Sequence, residues 1–345
     1  MTRSTRTLLF AAAAASAVLL VRRARSGRSL RGKVVLITGG SRGLGIVLAR
    51  ELARKGARLV LCARDEHELE GASRELTASG AEVMTVRCDV GDAGDVSRAV
   101  SETVARLGQI DVLINNAGII QVGPAESLGL LDYRGSFDAN FWGPVQMSLA
   151  VLPGMRARRD GAIVNITSIG GAVSVPHLLA YSSAKAAALR FSEGLAAEVA
   201  KDGVRVTTVI PGLMRTGSFV NALFKGRREE ELRWFASGAS LPIISQSAER
   251  AARRIVRATE RGETQVTLGL PAKLLRLFHA LLPGFTVRAL AVVNERVLPA
   301  WDGAGPDDAA EPGWANRGKF QSGALSERGN RDARRNREVP WAAPE

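Results

Sequence analysis

Two side chains in this sequence are spaced for proton transfer. Tyr181 and Lys185 stand in Tyr181-Ser182-Ser183-Ala184-Lys185, ahead of the helix-forming run Ala186-Ala187-Ala188-Leu189-Arg190. In a helix, residues four apart share one face. A phenol titrates near pH ~10, too high for acid–base work at neutrality. An ammonium within reach favours the phenolate and is expected to lower that value by roughly 1–3, into the useful range. Ser168 stands upstream, after the apolar run Ala162-Ile163-Val164-Asn165-Ile166-Thr167, which reads as a buried strand. Its hydroxyl then lies at the strand's carboxyl end, where open α/β sheets hold ligands. A tyrosine four residues from a lysine is more often a surface pair. The chain has only two tyrosines, so a chance pairing is uncommon.

The upstream elements decide whether such a site exists. Lys33–Thr38 is a buried-strand run that enters Gly39-Gly40-Ser41-Arg42-Gly43-Leu44-Gly45 and then an apolar-periodic helix to about Lys55. Glycines between a strand and a helix let the backbone approach a pyrophosphate, which the helix N-terminus stabilises. Further strands are predicted at 57–62, 82–87 and 110–114, with helices at about 65–79 and 92–107 between them. Four βα units by residue 115 require a doubly wound parallel sheet. At the end of the second strand, Ala63 takes the place where an acid would hold a ribose 2′-hydroxyl. Arg64 follows, and Arg42 lies in the glycine loop. Two arginines there suit a 2′-phosphate, hence NADP(H).

Taken together, Thr38 to Gly45 (TGxxxGxG), Asn115 to Gly118 (NNAG), Ser168, Tyr181 to Lys185 (YxxxK) and Pro211-Gly212 resemble the short-chain dehydrogenase/reductase family, in its compact single-domain branch. The resemblance covers residues 33–215 and implies a Rossmann-type domain over 33–269. It implies that Gly39, Ser41, Arg42, Gly43, Leu44 and Gly45 line the pyrophosphate and 2′-phosphate end, with Arg64 beside them. Asp89 and Val90 would contact adenine, while Asn116, Ala117 and Gly118 support the strand and ribose. Pro211, Gly212 and Thr216 would bind the carboxamide side. Among the catalytic positions it implies that Asn140 bends a helix and holds a relay water, and that Ser168 binds the substrate oxygen. Tyr181 would exchange its proton, and Lys185 would tune Tyr181 and grip the ribose. The implied activity is NADP(H)-dependent interconversion of a ketone and a secondary alcohol. A non-catalytic NADP(H)-binding sensor or scaffold at a membrane is the alternative.

Residues 203–210 read as a sixth strand, 247–261 as a helix and 264–268 as a last strand. Between them, 213–245 lose periodicity where the family places a substrate lid, and its apolar content suggests a lipophilic substrate. His177 reads either as substrate-facing or as an ordinary loop histidine. Cys62 and Cys88 both fall inside apparent strands and read as buried thiols rather than a disulfide framework or metal site.

The net charge of +13 is uneven. Residues 1–33 hold eight bases and no acid, and the rest carries no aromatic-basic cluster, which argues against nucleic acid. Residues 7–21 are uncharged and mostly apolar. As a helix they would cover about 22 Å, less than the roughly 30 Å hydrocarbon core. With the bases that follow, residues 1–32 are expected to form a membrane anchor and basic juxtamembrane segment, with the catalytic domain on the cytoplasmic side. A cleavable signal peptide is the rival, given Ala15-Ser16-Ala17. The apolar extension 270–301 has Lys273, Arg276 and His279 on one face and Leu274, Leu275, Phe278, Leu281 and Leu282 on the other. It reads as an interfacial helix on membrane lipid or as packing on the body or on a second copy in a homo-oligomer. Residues 302–345 are Gly, Pro, Arg and acid rich, and are expected to be disordered.

Overall fold

The computed structural model describes residues 27–241, 244–319 and 324–339. Strand β1 (Val34–Thr38) is buried on both faces. Val35 and Ile37 point into one core layer and Val34 and Leu36 into the other. This is the continuous apolar run that a central parallel strand needs. Helix α1 (Gly43–Arg54) follows, then β2 (Arg58–Ala63), α2 (Glu66–Ala78), β3 (Val83–Arg87), α3 (Ala93–Leu107) and β4 (Val112–Asn115). Asp65 and Asp92 accept backbone N–H groups from Glu68 and Asp95, so α2 and α3 start where short acids cap them.

The chain continues through a short strand β5 (Gln121–Val122), α4 (Leu130–Phe137), a π-turn at Asp138–Trp142 and α5 (Gly143–Arg158). Strand β6 (Gly161–Ile166), the one-turn α6 (Ile169–Ala172), the long α7 (Leu179–Val199) and β7 (Val204–Pro211) complete the catalytic half. Beyond them come β8 (Leu213–Arg215), β9 (Leu223–Phe224), α8 (Arg228–Ser240), β10 (Ser245–Ser247), α9 (Ala248–Arg261) and β11 (Gln265–Leu268). The seven-stranded sheet runs β3-β2-β1-β4-β6-β7-β11, all parallel. This is the doubly wound α/β arrangement expected, with its switch point between β1 and β4, where the strand order reverses.

A buried polar ladder crosses the sheet under the site. Asn115 on β4 donates to Asn165 on β6 (2.8 Å), Asn165 donates to Ser192 on α7 (2.9 Å), and Ser192 meets Thr208 on β7 (2.7 Å). Cys62 and Cys88 are buried free thiols, and burial pushes both thiols up.

Two expectations are corrected. The extension from Leu270 is two helices, α10 (Leu270–Leu281) and α11 (Pro283–Arg296), separated at Leu282 ahead of Pro283. Leu270, Leu274, Leu277, Phe278, Leu281 and Phe285 are exposed along this pair. The tail expected to be disordered also has structure in its described part: β12 (Glu311–Pro312) and α12 (Ala324–Arg335). Periodic apolar faces do not hold it; single anchors do. Lys225 donates to Pro306 O (2.9 Å), Arg228 pairs with Asp308, and β12 pairs antiparallel with β9. No helix among the described residues is long and apolar enough to cross a membrane. The expected anchor, 7–21, lies outside the described residues.

Candidate active site

Ser168 sits two residues past β6 in extended conformation, and its Oγ caps α6 by accepting from Gly170 N (3.0 Å). The same hydroxyl hydrogen-bonds the Tyr181 phenol. Tyr181 lies in the first turn of α7, with Lys185 one turn on; the Lys185 Nζ is 5.9 Å from the phenol ring centroid. Lys185 is buried, and its Nζ donates to Ile166 O (3.0 Å) at the end of β6. Helices α6 and α7 approach so closely that a Cβ on Gly171 would meet the Lys185 carbonyl at 2.6 Å.

The electrostatics depart from the sequence expectation. Burial pushes the Tyr181 phenol above its ordinary value, against the opposing pull of the Ser168 hydrogen bond. Burial also brings the Lys185 ammonium down to about 8. The spacing alone suggested an acidified phenol. Desolvation outweighs that in this protein, because it disfavours the charged form of each group. Tyr181 therefore keeps its proton at neutral pH and is set to donate it.

Asn140 lies in the π-turn between α4 and α5. Its Nδ2 donates to Ile119 O (2.9 Å), and its buried Oδ1 has no hydrogen-bond partner. Gly118 lies between the two functional groups. A Cβ there would collide with Asn140 Oδ1 and come within 3.4 Å of Lys185 Nζ. Glycine at 118 is thus what allows the carbonyl of Asn140 and the ammonium of Lys185 to face a common space. Ser168 Oγ and Tyr181 meet beside Gly170, and Lys185 Nζ, 5.9 Å from the Tyr181 ring centroid, links the two pairs.

The cofactor candidates gather at the switch point. Gly39 has φ +62, and a Cβ on it would lie 2.9 Å from Ala117 Cα. Thr38 Oγ1 accepts from the N–H groups of Asn116 and Ala117 (both 3.0 Å), and Asn116 Nδ2 donates to the carbonyls of Thr38 and Gly39. A Cβ on Gly45 would strike the Gly39 carbonyl, so α1 can begin this close to β1 only with glycine there. Leu44 packs into the core. Val90 is buried against Gly143, and Asp89 accepts from Gly91 N. Across the cleft, Gly212 N donates to Leu268 O (3.0 Å), Pro211 pairs with Leu268, and Thr216 is buried. Arg64 lies 4.0 Å from Asp89, both half-exposed or more. The backbone cradle and its arginines fit a phosphate-bearing dinucleotide.

Three contacts escaped the sequence reading. Glu68, in the first turn of α2, accepts from Ser41 (2.8 Å) and pairs with Arg42, so the loop arginine already has a carboxylate. His177 is buried with φ +64, and its Nδ1 lies 2.7 Å from the buried Glu231 of α8, which also accepts from Trp234. It is closed off from solvent, and it fastens the loop before Tyr181 to α8. Glu338, in the tail, reaches Arg42. The Glu68 position in a helix's first turn was the one legible hint.

With this geometry in view, the comparisons agree. The family profile described as short chain dehydrogenase matches residues 33–224. The chain is 40% identical over 210 residues to a dehydrogenase/reductase SDR family protein 7-like of Anopheles gambiae, covering 59% of this chain and 66% of that one. It is 40% identical over 244 residues to 11-beta-hydroxysteroid dehydrogenase A of Sesamum indicum, covering 68% of each. The chain thus spans about two thirds of the length of these relatives. The crystal structure of L-sorbose reductase from Gluconobacter frateurii, complexed with NADPH and L-sorbose, aligns at TM-score 0.62 and 28% identity. That alignment covers 71% of this chain and 97% of that one. The chain belongs to the short-chain dehydrogenase family, oxidoreductases that bind a nicotinamide cofactor.

Proposed function

We propose that the protein interconverts a ketone and a secondary alcohol on a lipophilic small molecule, with NADP(H) as cofactor. The run of contacts from Ser168 and Tyr181 beside Gly170, through Lys185, to Asn140 beside Gly118 carries the reading. The cofactor supplies the hydride to the carbonyl carbon, or accepts it in reverse. Ser168 orients the substrate oxygen, and Tyr181 delivers its hydroxyl proton to that oxygen. Lys185, down near 8 and close to Tyr181, returns a proton to the phenolate, with the unpartnered Asn140 Oδ1 fixing the relay.

Arg42 and Arg64, with Ala63 where an acid would stand, support the 2′-phosphate preference. The exposed Leu and Phe of α10 and α11 support an apolar substrate delivered at a membrane surface, as does the relative named for a hydroxysteroid. Together with residues 7–21 and the bases after them, they support membrane attachment with the domain on the cytoplasmic side.

Tyr181→Phe should lower kcat by about 10²–10⁴-fold on a lipophilic ketone, with the NADPH Kd unchanged. Undiminished turnover would sink the reaction assignment. Binding of NADPH without turnover of any ketone or alcohol would favour a sensor, and equal Kd values for NADH and NADPH would remove the cofactor preference. Full-length protein that stays wholly in the supernatant after high-speed sedimentation of a lysate would end the membrane proposal.

A further inference from the structure

The C-terminal segment crosses the dinucleotide cradle. Asn336 is fully buried, its carbonyl accepts from Gly43 N (2.8 Å), and its Nδ2 donates to Thr216 O (3.0 Å). One residue thus bridges the glycine loop and the segment after β7, the two walls between which a bound dinucleotide must lie. Glu338, also buried, rests its carboxylate against Gly43, where a Cβ would strike its Oε1. Its Oε2 is 3.8 Å from Arg42 Nε, and Asn221 Nδ2 donates to both its carbonyl (2.6 Å) and its Oε2 (2.7 Å). On either side the segment is pinned. Ala333 is fully buried, and a Cβ on Gly217 would meet it; Arg337 lies 3.6 Å from Glu75, and Arg335 pairs with Glu249 (2.8 Å).

At the first turn of α1 the Asn336 carbonyl takes the Gly43 N–H, and the Glu338 carboxylate fills the space against Gly43 and Arg42, groups that a helix N-terminus otherwise offers to phosphate oxygens. Resting on the dinucleotide reading of that loop, we propose that residues 333–339 are a built-in competitor of the cofactor, with Glu338 and the Asn336 carbonyl standing where the pyrophosphate binds, so that tail docking and dinucleotide binding exclude each other. The Gly43 N–H and the Arg42 guanidinium cannot serve both occupants at once. The competitor is tethered, so the apparent Kd for NADPH is the intrinsic one divided by the fraction of molecules with the tail released. The docked carboxylate is also imperfectly compensated. Among the described residues its partner cation, Arg42, is at 3.8 Å and shared with Glu68, and burial raises Glu338 to about 7. A group held at such a desolvation cost can be displaced by a ligand carrying more charge. Because α12 packs on Phe219 and Ser240 through Gly329, release of the tail would also loosen the lid.

The test uses the full chain, with NADPH as the probe. Hydrogen exchange of residues 333–339 should speed up when NADPH is added, while α1 slows. A tail that slows with NADPH is a clamp over the cofactor, and the proposal fails. Asn221→Ala, which removes two bonds to Glu338, and Ala333→Asp, which leaves no room against Gly217, should each tighten NADPH binding, on the order of tenfold. Unchanged or weaker binding in both variants, with the melting temperature of the body retained, overturns competition but leaves the dinucleotide site standing. If wild type and both variants all fail to bind NADPH and NADH, the reading of the loop falls, and the competitor with it.

Discussion

The sheet from β1 to β7 and the cap from β8 to α12 are built on different terms. The strands of the sheet are paired parallel along continuous apolar runs. In the cap, pieces from residues 121–122, 223–224 and 311–312 form a sheet of two-residue strands, fastened by lone pairs such as Lys225–Asp132 (2.7 Å) and His177–Glu231 (2.7 Å). The reacting groups sit on the seam: Ser168, Tyr181 and Lys185 on the sheet side, His177 four residues before Tyr181 in the grip of the cap. The difference teaches that the sheet can hold the chemistry in place while the cap is free to change around it.

Three changes sharpen that contrast, in falling order of expected effect. Glu231→Ala strips the buried His177 and Trp234 of their shared acceptor and should cost about 1–3 kcal/mol for each group within the cap. Hydrogen exchange should then speed in α8 and stay slow in β1 and β4; uniform loss of protection would mean the two regions are one cooperative unit. Gly118→Ala forces Asn140 Oδ1 away from Lys185 within the sheet half, and kcat should drop by about 10²-fold. Its melting temperature should stay within a few degrees, and full activity would show that the Asn140–Lys185 approach is unimportant.

The smallest effect concerns pH. Glu338 is raised to about 7 when docked and would be near ~4.3 when released, so the docked form holds its proton more tightly. Docking is therefore strongest below ~4.3, weakens as pH climbs to about 7, and is flat above it. Between pH 6 and 8 the protection factor of 333–339, measured without cofactor and corrected for intrinsic rates, should fall about tenfold. The groups facing Glu338 are Arg42, Glu68 and Asn221. Glu338→Gln should remove that slope, and an unaltered slope would assign it to another group.

Much of the α/β framework was legible because period-2 and period-3.6 patterns report burial directly: the helices 66–78, 93–107 and 248–261 and the strand 265–268 fall within a residue or two of the sequence reading. The positions of Ser168, Tyr181, Lys185 and Asn140 were legible as motifs. Their proton affinities were not, because spacing reveals a neighbour but not the loss of water that raised Tyr181 and lowered Lys185. His177 and Glu231 lie 54 residues apart, and no local rule links them. The tail misled for the same reason. Its composition is that of a disordered chain, but a few well-placed partners order it, and composition cannot count partners.

The polar ladder Asn115–Asn165–Ser192–Thr208 has one more consequence. An apolar parallel sheet tolerates slippage, since valine beside isoleucine is little different from valine beside leucine. Here a slip of β6 by one residue would turn Asn165 to the opposite face. Asn115 would then lose its Asn165 acceptor and Ser192 its Asn165 donor, and the Asn165 amide would itself be stranded on the far face, at about 1–3 kcal/mol for each group left without a partner. The ladder therefore acts as a ruler laid across three strands during folding. It holds Asn115, Asn165 and Thr208 at one level, which fixes how far past the sheet Asn116, Ser168 and Pro211 emerge.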